Sequence, residues 1–469
     1  MIDYSREPKS DIAFFDIKSF YASVECIERG LNPLTTSLCV MSRGDNSNGL
    51  ILAASPTFKH IFGKANVGRA YDLPFNIETR CFNFYNAKRA GIAVTPYYVR
   101  YIENWARRTL IVPPRMDLYI QKNMLIQTIL KEYASDQDIL PYSIDEGFID
   151  LSQSLNYFVP DTHITKKDKL NIVSSMIQHD IYKQTGLSST IGMSNSNPLL
   201  AKLALDIEAK QVPTMRANWS YEDVPSKVWA ISELTDFWGI GSRTARRLEK
   251  LGIYSIKDLA HSNPDILKKE FGIIGVQLWF HAHGVDESNV RHPYRPQSKG
   301  LGNSQILPRD YYNLQEIELV LKEMAEQVAI RLRKRQKKTT CIYLSITYSK
   351  DVEQSSFQGQ LTVEPTQNTR KLCDYILQIF HSKYQGGPIR QITVRYSGFV
   401  EESYTLISLF EDYEETLKEQ QLQKTIDTLR QKYGFLALQH ASVLTSGSRS
   451  IARSRLIGGH SAGGLEGLQ

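Results

Sequence analysis

The chain has 469 residues, which is too long for one hydrophobic core, so we expect about three or four domains. Its 42% hydrophobic and 23% charged residues exclude wholesale disorder, and no run of about 18 uncharged apolar residues offers a membrane span. The polar N-terminus does not resemble a secretion signal, and the five scattered cysteines contain no C-x-x-C pair. We therefore expect a cytoplasmic protein with no membrane partner, no structural zinc site and no disulfide framework.

The positive charge is concentrated in one segment. Residues 291–400 contain 17 Lys and Arg against 9 Asp and Glu, whereas the rest of the chain balances to −2 of the total +6. A localised basic surface attracts polyanions, which favours nucleic acid as the partner. The densest run, residues 331–338, could also be an ordinary solvated helix end.

In chain order, the first half alternates strand-like and helix-like segments. The predicted strands are 11–17, two within 37–53 around a Gly/Asn-rich turn, and the hairpin 140–152. The predicted helices are 19–29, 97–134 with an interruption at Pro113-Pro114, 165–185 and 198–210. Such interleaving predicts an α/β or α+β domain.

The second half changes character twice. Residues 221–290 predict short helices separated by Gly-bearing turns, and residues 299–410 return to strands with two helices at 313–335 and 366–383. The Ser/Gly-rich residues 445–469 are expected to be loose.

Three acidic residues are candidates for metal chemistry. Asp16 ends the first apolar strand, and Asp145 and Glu146 occupy the middle of the hairpin. If the three carboxylates converge, their repulsion calls for a divalent cation, and two Mg²⁺ ions on such ligands support phosphoryl transfer. Separately, Asp16 could be a helix N-cap, and the adjacent pair could be an exposed turn.

Two segments could contact phosphates. Residues 53–69 place one hydroxyl and several cationic side chains among small residues, namely Thr57, Lys59, His60, Lys64 and Arg69. A second segment runs from Asn197 through Lys202 to Lys210. There is no Walker A motif, so a P-loop enzyme is excluded. The alternative for each lysine is a solvated position on an amphipathic helix.

Residues 231–260 predict a helix-hairpin-helix. Glycines between two short helices let the backbone approach a phosphate, which the N-terminus of the second helix then binds. This arrangement positions DNA without reading its sequence, although an ordinary helical turn with a glycine cap is the alternative. The candidate DNA-binding residues are Gly239, Gly241, Arg243, Thr244 and Arg246.

These motifs, in this order, resemble a known family. Residues 16–25 (DIKSFYASVE), 142–150 (YSIDEGFID) and 191–202 (IGMSN…LAK) precede the helix-hairpin-helix. The chain is similar to Y-family translesion DNA polymerases, closest to UmuC-like members of Gram-positive bacteria and their mobile elements. The resemblance covers about residues 11–445.

The resemblance implies an α+β multidomain fold, a right-hand polymerase. Its parts would be a palm of mixed β-sheet and helices, small fingers, a helical helix-hairpin-helix thumb and an α/β little finger. The implied boundaries are palm 1–30 and 87–220, fingers 31–86, thumb 221–292, little finger 299–410, and a helical and flexible tail at 411–469.

The resemblance also implies residue roles. Asp16, Asp145 and Glu146 would be catalytic and would hold two Mg²⁺ ions, with Ile17 adding its backbone carbonyl. Tyr21 resembles the steric gate that excludes ribonucleotides, and Phe20 would pack beside the nucleotide.

Two triphosphate positions depart from the family pattern. Thr57 and His60 stand where many members have Tyr and Arg, and Lys210 lies one residue beyond the usual spacing from Lys202. The nucleotide-binding set is therefore Phe20, Tyr21, Thr57, His60, Lys202 and Lys210.

A short peptide resembles the sliding-clamp motif, although Leu406 replaces its usual leading Gln. The candidate clamp-binding residues are Leu406, Ile407, Ser408, Leu409 and Phe410. The alternative is a last strand of the little finger.

The predicted activity is template-directed addition of dNTPs to a primer 3′-OH on damaged templates, with low fidelity and no proofreading. The expected partners are primer-template DNA, dNTPs, a sliding clamp and an accessory mutagenesis subunit, with the chain itself a monomer. The rival functions are a structure-specific nuclease and a non-catalytic DNA-binding scaffold.

Overall fold

The computed structural model describes residues 2–42, 49–63, 68–89, 91, 94–294, 300–401 and 413–462. The chain forms two compact units. Of the described residues, the first unit comprises 2–42 and those between 49 and 294, and the second comprises those from 300 onward.

The first unit contains eight strands and twelve α-helices among its described residues. The strands are β1 (Ile12–Ile17), β2 (Leu38–Ser42), β3 (Leu50–Ala54), β4 (Leu110–Val112), β5 (Ile139–Pro141), β6 (Glu146–Asp150), β7 (Ser189–Ser194) and β8 (Arg216–Asn218). The helices are α1 (Phe20–Ile27), α2 (Pro56–Phe62), α3 (Phe84–Arg89), α4 (Pro96–Arg108), α5 (Met116–Leu130), α6 (Leu155–Phe158), α7 (Lys166–Thr185), α8 (Pro198–Leu203), α9 (Ser242–Lys250), α10 (Ile256–His261), α11 (Pro264–Phe271) and α12 (Ile273–Ala282).

A five-stranded sheet forms the centre of this unit. Its strand order is β5-β6-β1-β7-β8, with β1 antiparallel to both neighbours and β7 parallel to β8. The apolar strand predicted at 11–17 is β1, which is almost entirely buried at the centre of the sheet. The predicted hairpin is formed by β5 and β6.

One glycine permits the close packing of α8 on this sheet. A Cβ on Gly192 of β7 would lie 2.1 Å from the carbonyl oxygen of Ala201 in α8. Only glycine allows this approach, which brings the α8 backbone, and with it Lys202, onto the sheet.

A second, three-stranded sheet has the order β3-β2-β4. Its core joins residues from the strands, from α2 and from α4, including Phe58 and Trp105, whose ring centroids are 5.0 Å apart. The predicted fingers boundary at residue 86 falls within this core, which continues to Ala106. We therefore propose that the fingers extend to the end of β4.

The helical part of the unit is built from short helices, as the sequence predicts for 221–290. Residues from α8 through α12 share one apolar cluster, which includes the almost fully buried Trp219 and Phe237. The helices are short because Gly252 and Gly272, both with positive φ, end their helical segments.

The second unit contains six strands and four α-helices among its described residues. They are β9 (Leu301–Tyr311), α13 (Leu314–Lys334), β10 (Lys337–Tyr348), β11 (Phe357–Thr366), α14 (Thr369–Lys383), β12 (Ile389–Glu401), α15 (Tyr413–Tyr433), α16 (Ser450–Ser454), β13 (Leu456–Ile457) and β14 (His460–Ser461). The first four strands form an antiparallel sheet of order β11-β10-β12-β9, and α13 and α14 bury their apolar sides against it.

The expectation of a loose segment from residue 445 is wrong for residues 445–462. Arg453 of α16 is 9% exposed and donates to Gln305 at 2.9 Å, and Glu323 accepts from the backbone N–H of Arg449 at 2.9 Å. Composition misled the prediction because a few buried polar contacts can anchor a Ser/Gly-rich segment. Among the described residues, no helix has the length and apolar character needed to cross a membrane.

Candidate active site

The three candidate carboxylates arise from adjacent strands. Asp16, near the end of β1, is paired directly with Glu146, the first residue of β6. Asp145 precedes Glu146 in the turn, and its carbonyl accepts from the Ile17 N–H at 2.9 Å. Directly opposed residues in antiparallel strands have Cα atoms about 5 Å apart, so the backbone brings all three acids to one edge of the sheet.

Two lysines pair with these carboxylates. The Lys210 Nζ lies 3.2 Å from an Asp16 oxygen, and the Lys202 Nζ lies 3.0 Å from a Glu146 oxygen. Asp145 instead accepts from the Ser143 hydroxyl at 2.6 Å. In the described part of the chain, no three His, Cys, Asp or Glu side chains converge closely enough to share an ion. Common coordination therefore requires the carboxylates to turn away from their present partners.

The electrostatic environment of Asp16 perturbs its carboxyl. Burial raises the pKa of Asp16 to about 6, against the opposing charge of Lys210. The negative charges of Asp145 and Glu146 add to this rise, which places both acids within electrostatic reach of Asp16. An all-oxygen donor set with this repulsion fits a hard divalent cation such as Mg²⁺.

A π-helix explains the unusual spacing of the two lysines. Residues Ala204–Ala209 continue α8 as a π-helix, and the Lys210 N–H donates to the Leu205 carbonyl five residues earlier, at 3.3 Å. A π-turn accommodates one extra residue per turn, so Lys210 lies one position later in sequence and still reaches Asp16.

Asp206, in the same π-helix, is a site residue that the sequence did not reveal. Its two oxygens contact the Nζ atoms of Lys202 at 3.3 Å and Lys210 at 2.8 Å. Each ammonium group therefore contacts both Asp206 and one of the candidate metal ligands, Glu146 for Lys202 and Asp16 for Lys210. The spacing of four between Asp206 and each lysine was the available sequence signal.

Lys59 of α2 is a second residue that the candidate set omits. Burial lowers the pKa of its ammonium and the charges of Asp16 and Asp145 oppose this change, so Lys59 lies within electrostatic reach of the carboxylates. Thr57 turns away, because its hydroxyl donates to the Leu34 carbonyl at 2.7 Å, and His60 is exposed on the same helix. Within the predicted fingers segment, Lys59 is thus better placed than Thr57 to meet a triphosphate.

The candidate gate Tyr21 rests on a buried network between α1 and α5. Its ring stacks on Tyr119, with centroids 4.3 Å apart and planes 15° from parallel. The Tyr119 hydroxyl donates to Glu25 at 2.8 Å, and Arg115 donates two bonds to the same carboxylate, at 2.9 and 2.7 Å. Glu25 has no solvent exposure, so this network fixes the surface on which Tyr21 lies.

The two aromatic candidates in α1 occupy different environments. Burial and the nearby charge of Asp145 raise the pKa of the Tyr21 phenol, which places that ring beside the carboxylates. Phe20 is only 2% exposed and packs in the core against Tyr119. Phe20 therefore presents little surface to a nucleotide in this structure.

In the predicted helix-hairpin-helix, the two glycines lie just before α9. Gly239 has a φ of +95°, and Gly241 is the N-cap of α9 without a side-chain cap. The first N–H groups of α9 are thus free of a capping side chain, and a Cβ on Gly241 would meet nothing within 4 Å. Arg243 and Arg246 are exposed beside this terminus, and Thr244 is half-buried.

The clamp-like peptide 406–410 lies outside the described residues, so its assignment stays a prediction.

Comparisons with known proteins agree with this architecture. The sequence model described as the impB/mucB/samB family matches residues 81–206, its C-terminal domain model matches 298–409, and the IMS family HHH motif matches 221–253. The chain is 35% identical to the "Putative UV-damage repair protein UvrX" of Bacillus subtilis (strain 168), over 98% of this chain and 100% of that protein.

The chain belongs to the Y-family of DNA polymerases. Another relative of this Y-family chain is "DNA polymerase IV 2" of Bacillus subtilis (strain 168), 29% identical over 96% of this chain and 98% of that protein. The solved "Y-family DNA polymerase chimera Dbh-Dpo4(243-245)-Dbh" has a TM-score of 0.58 and 19% identity, covering 83% of this chain and 99% of that chain. This structural likeness shows that the fold is the α+β polymerase architecture of palm, fingers, thumb and little finger.

Proposed function

We propose that this Y-family chain is a DNA-directed DNA polymerase that adds dNTPs to a primer 3′-OH by two-metal phosphoryl transfer and tolerates damaged templates. The observation that carries the proposal is the pairing of Asp16 with Glu146 across adjacent strands, with Asp145 beside them. An acidic edge lined by lysines combines a site for cations with groups that can bind a triphosphate.

We assign the charged residues to binding the metal ions and the triphosphate, and Tyr21 to excluding a 2′-OH by its size. Asp16, Asp145 and Glu146, with the Ile17 carbonyl, would hold two Mg²⁺ ions, which when bound would acidify the primer hydroxyl and neutralise the triphosphate. Lys202 and Lys210 would release their acidic partners and, together with Lys59, contact the phosphates. Tyr21 would close the space beneath the sugar, where a 2′-OH would otherwise fit.

Primer extension tests this function. The wild-type chain should extend a primer only when template, dNTPs and Mg²⁺ are all present. Asp145→Asn should lower the single-nucleotide insertion rate by about a thousandfold or more, because the amide lacks the negative charge that would hold the cations, and the electrostatic stabilisation they would supply is lost. Asp150→Asn is the matched control, since this acid is at the far end of β6, the strand that follows Asp145, and accepts from the Ser152 N–H at 3.0 Å.

The same assay separates the rival functions. If the wild-type chain cleaves DNA strands without dNTPs and Asp145→Asn abolishes this cleavage, the chain is a nuclease and not a polymerase. DNA binding without extension or cleavage would leave a non-catalytic scaffold. Either result would overturn the proposal.

We infer that residues 406–410 bind a sliding clamp, which is supported by the apolar Leu-Phe ending of the peptide. Deleting them should reduce clamp-stimulated synthesis while basal extension is retained, and an equal loss of both would contradict the inference. An accessory mutagenesis subunit and a monomeric state remain predictions, which co-purification and sedimentation can test.

A further inference from the structure

One face of α4 carries an exposed row of aromatic and basic side chains, which we call the α4 face. Its members are Tyr97, Arg100, Tyr101, Asn104, Arg107 and Arg108. At 100° per residue they span about 120° of the helix circumference and about 16 Å along its axis. All six are exposed, and Tyr97 is 82% exposed.

The opposite side of the helix fixes the orientation of this face. Ile102, Trp105 and Ala106 are buried in the core of the three-stranded sheet. The Trp105 indole N–H donates to the Ser37 hydroxyl at 2.8 Å, which ties the helix to the chain entering β2. The exposed row is therefore the outer surface of a firmly packed helix.

The α4 face carries three arginines and no acid of its own. Among the described residues, no side-chain hydrogen bond or ion pair joins Arg100, Arg107 or Arg108 to another residue. The one acid in the helix, Glu103, is three residues from Arg100 and four from Arg107, but its carboxylate accepts from the Phe82 N–H at 3.2 Å. Three arginines thus remain available to an anionic ligand.

The aromatic surface continues onto α3. Phe84 and Tyr85 are 62% and 74% exposed. The Phe84 ring lies 4.9 Å from Phe82, which in turn lies 6.0 Å from Tyr98 of α4, so the start of α3 is beside α4. Such large exposed rings are costly in water unless a ligand covers them.

We propose that the α4 face, together with Phe84 and Tyr85, binds single-stranded DNA, specifically the unpaired template strand. Unpaired bases stack on exposed aromatic rings irrespective of sequence, and arginines between the rings neutralise the phosphates. Duplex DNA satisfies only the charge, because its bases are already stacked. The identity of the strand rests on the proposed polymerase function, whereas the binding itself does not.

Fluorescence anisotropy with a labelled oligo-dT, titrated at several KCl concentrations, tests this proposal. The double variant Tyr97→Ala/Tyr101→Ala should weaken binding about tenfold or more, with little change in its salt dependence. The triple variant Arg100→Ala/Arg107→Ala/Arg108→Ala should lower the slope of log K against log[salt] by about 2, which is about 0.7 for each phosphate that the protein no longer neutralises.

The matched control is Tyr182→Ala/Lys183→Ala, which removes an exposed aromatic and a cation from α7. It should bind oligo-dT like the wild type, and all variants should keep the wild-type melting temperature. Unchanged binding by both α4 variants would overturn the proposal and assign the face to a protein partner. An equal loss in the control would also overturn it.

A second readout separates this proposal from the polymerase function. On a primer-template with a one-nucleotide overhang, the α4 variants should extend the primer as fast as the wild type. With a long single-stranded overhang, they should require more DNA for half-maximal rate. A wild-type chain that never extends a primer would refute the polymerase function, and the anisotropy series would still decide the role of the α4 face.

Discussion

At the scale of single residues, the support beneath Tyr21 depends on a carboxylate without any solvent exposure. Glu25 and Tyr21 are four residues apart on α1, and Arg115 and Tyr119 are four apart at the start of α5, so the two helices pair acid with arginine and ring with ring. The three hydrogen bonds from Arg115 and Tyr119 keep the pKa of Glu25 low despite its burial, and Arg29 assists them. If Tyr21 is the gate, as we propose, selectivity for the sugar would depend on the buried carboxylate of Glu25 beneath it.

Replacing Tyr119 should weaken discrimination against ribonucleotides. Tyr119→Ala removes the stacked partner, so the ratio of kcat/KM for dNTP over rNTP should fall about threefold to tenfold, the value of an aromatic pair. Tyr119→Phe keeps the stacked ring, so its dNTP-over-rNTP ratio should fall less than that of Tyr119→Ala. Single-nucleotide insertion with dCTP and CTP measures the ratio.

Tyr133→Phe is the control for this series, since it removes a buried phenol bonded to Asp180 without touching Tyr21. It should cost stability and leave sugar selectivity unchanged. An equal loss of selectivity in Tyr133→Phe, or full selectivity in Tyr119→Ala, would contradict the positioning role.

Lys210 should matter more for nucleotide affinity than for folding. Lys210→Met leaves Asp16 without its cation and removes a candidate phosphate ligand, so the KM for dNTP should rise about tenfold or more while kcat changes less. Lys227→Met is the control, because Lys227 pairs with Glu208 at 2.8 Å, on the other side of the π-helix. An unchanged KM in Lys210→Met would remove this lysine from the nucleotide site.

At the scale of elements, the π-helix after α8 predicts that the chain tolerates deletion of one residue there. Deleting Glu208 should convert residues 204–210 to an ordinary α-helix and keep Lys210 beside Asp16, because the deletion removes the residue that the π-turn accommodates. The variant should retain extension within about tenfold. It should lose about 1–2 kcal/mol of unfolding free energy, because Trp219 and Lys227 lose their hydrogen bonds to Glu208.

Deletion of Thr128 from α5 is the comparison for this variant. In a regular α-helix the deletion rotates the following residues by about 100°, which would carry Ile129 and Leu130 out of the core. This variant should not accumulate in folded form. Loss of folding in the Glu208 deletion as well would show that the π-turn is not a one-residue insertion.

The sequence predicted those strands and turns whose residue types mark them within a short segment of the chain. The apolar run before Asp16 and the hairpin around Asp145 were visible because burial and turn formation leave marks within a few residues. The spacing of Lys210 was visible as an irregularity, but its cause is a hydrogen-bond shift that no residue type specifies. The stacking of Tyr21 on Tyr119 joins distant segments of the chain and could not be predicted from either segment alone.

At the scale of the whole molecule, the end of the described chain is an integral part of the second unit. Arg453 and Glu323 are both buried, and burial lowers the pKa of Arg453 to about 10. Arg430 of α15 also pairs with Glu326 of α13 at 2.7 Å. The sequence hid this docking because the contacts join residues more than 100 positions apart.

Glu323→Ala should therefore destabilise the second unit. Removing the acid leaves Arg453 buried without its ion-pair partner, which should cost about 3 kcal/mol and expose residues 435–462 to proteolysis. Glu318→Ala, on the same helix, removes a more exposed acid paired with His381 and should cost less than about 1 kcal/mol. Equal urea midpoints for the two variants would contradict the role of the buried pair.

The proposed chemistry depends most on whether the acids of the central sheet bind metal together. A crystal structure with primer-template DNA, a non-hydrolysable dNTP and Mg²⁺ measures this directly. We expect oxygens of Asp16, Asp145 and Glu146 on two ions, with Lys210 moved from Asp16 to the triphosphate. Ordered DNA and nucleotide with no ion between these acids, and both lysines still paired with them, would contradict it.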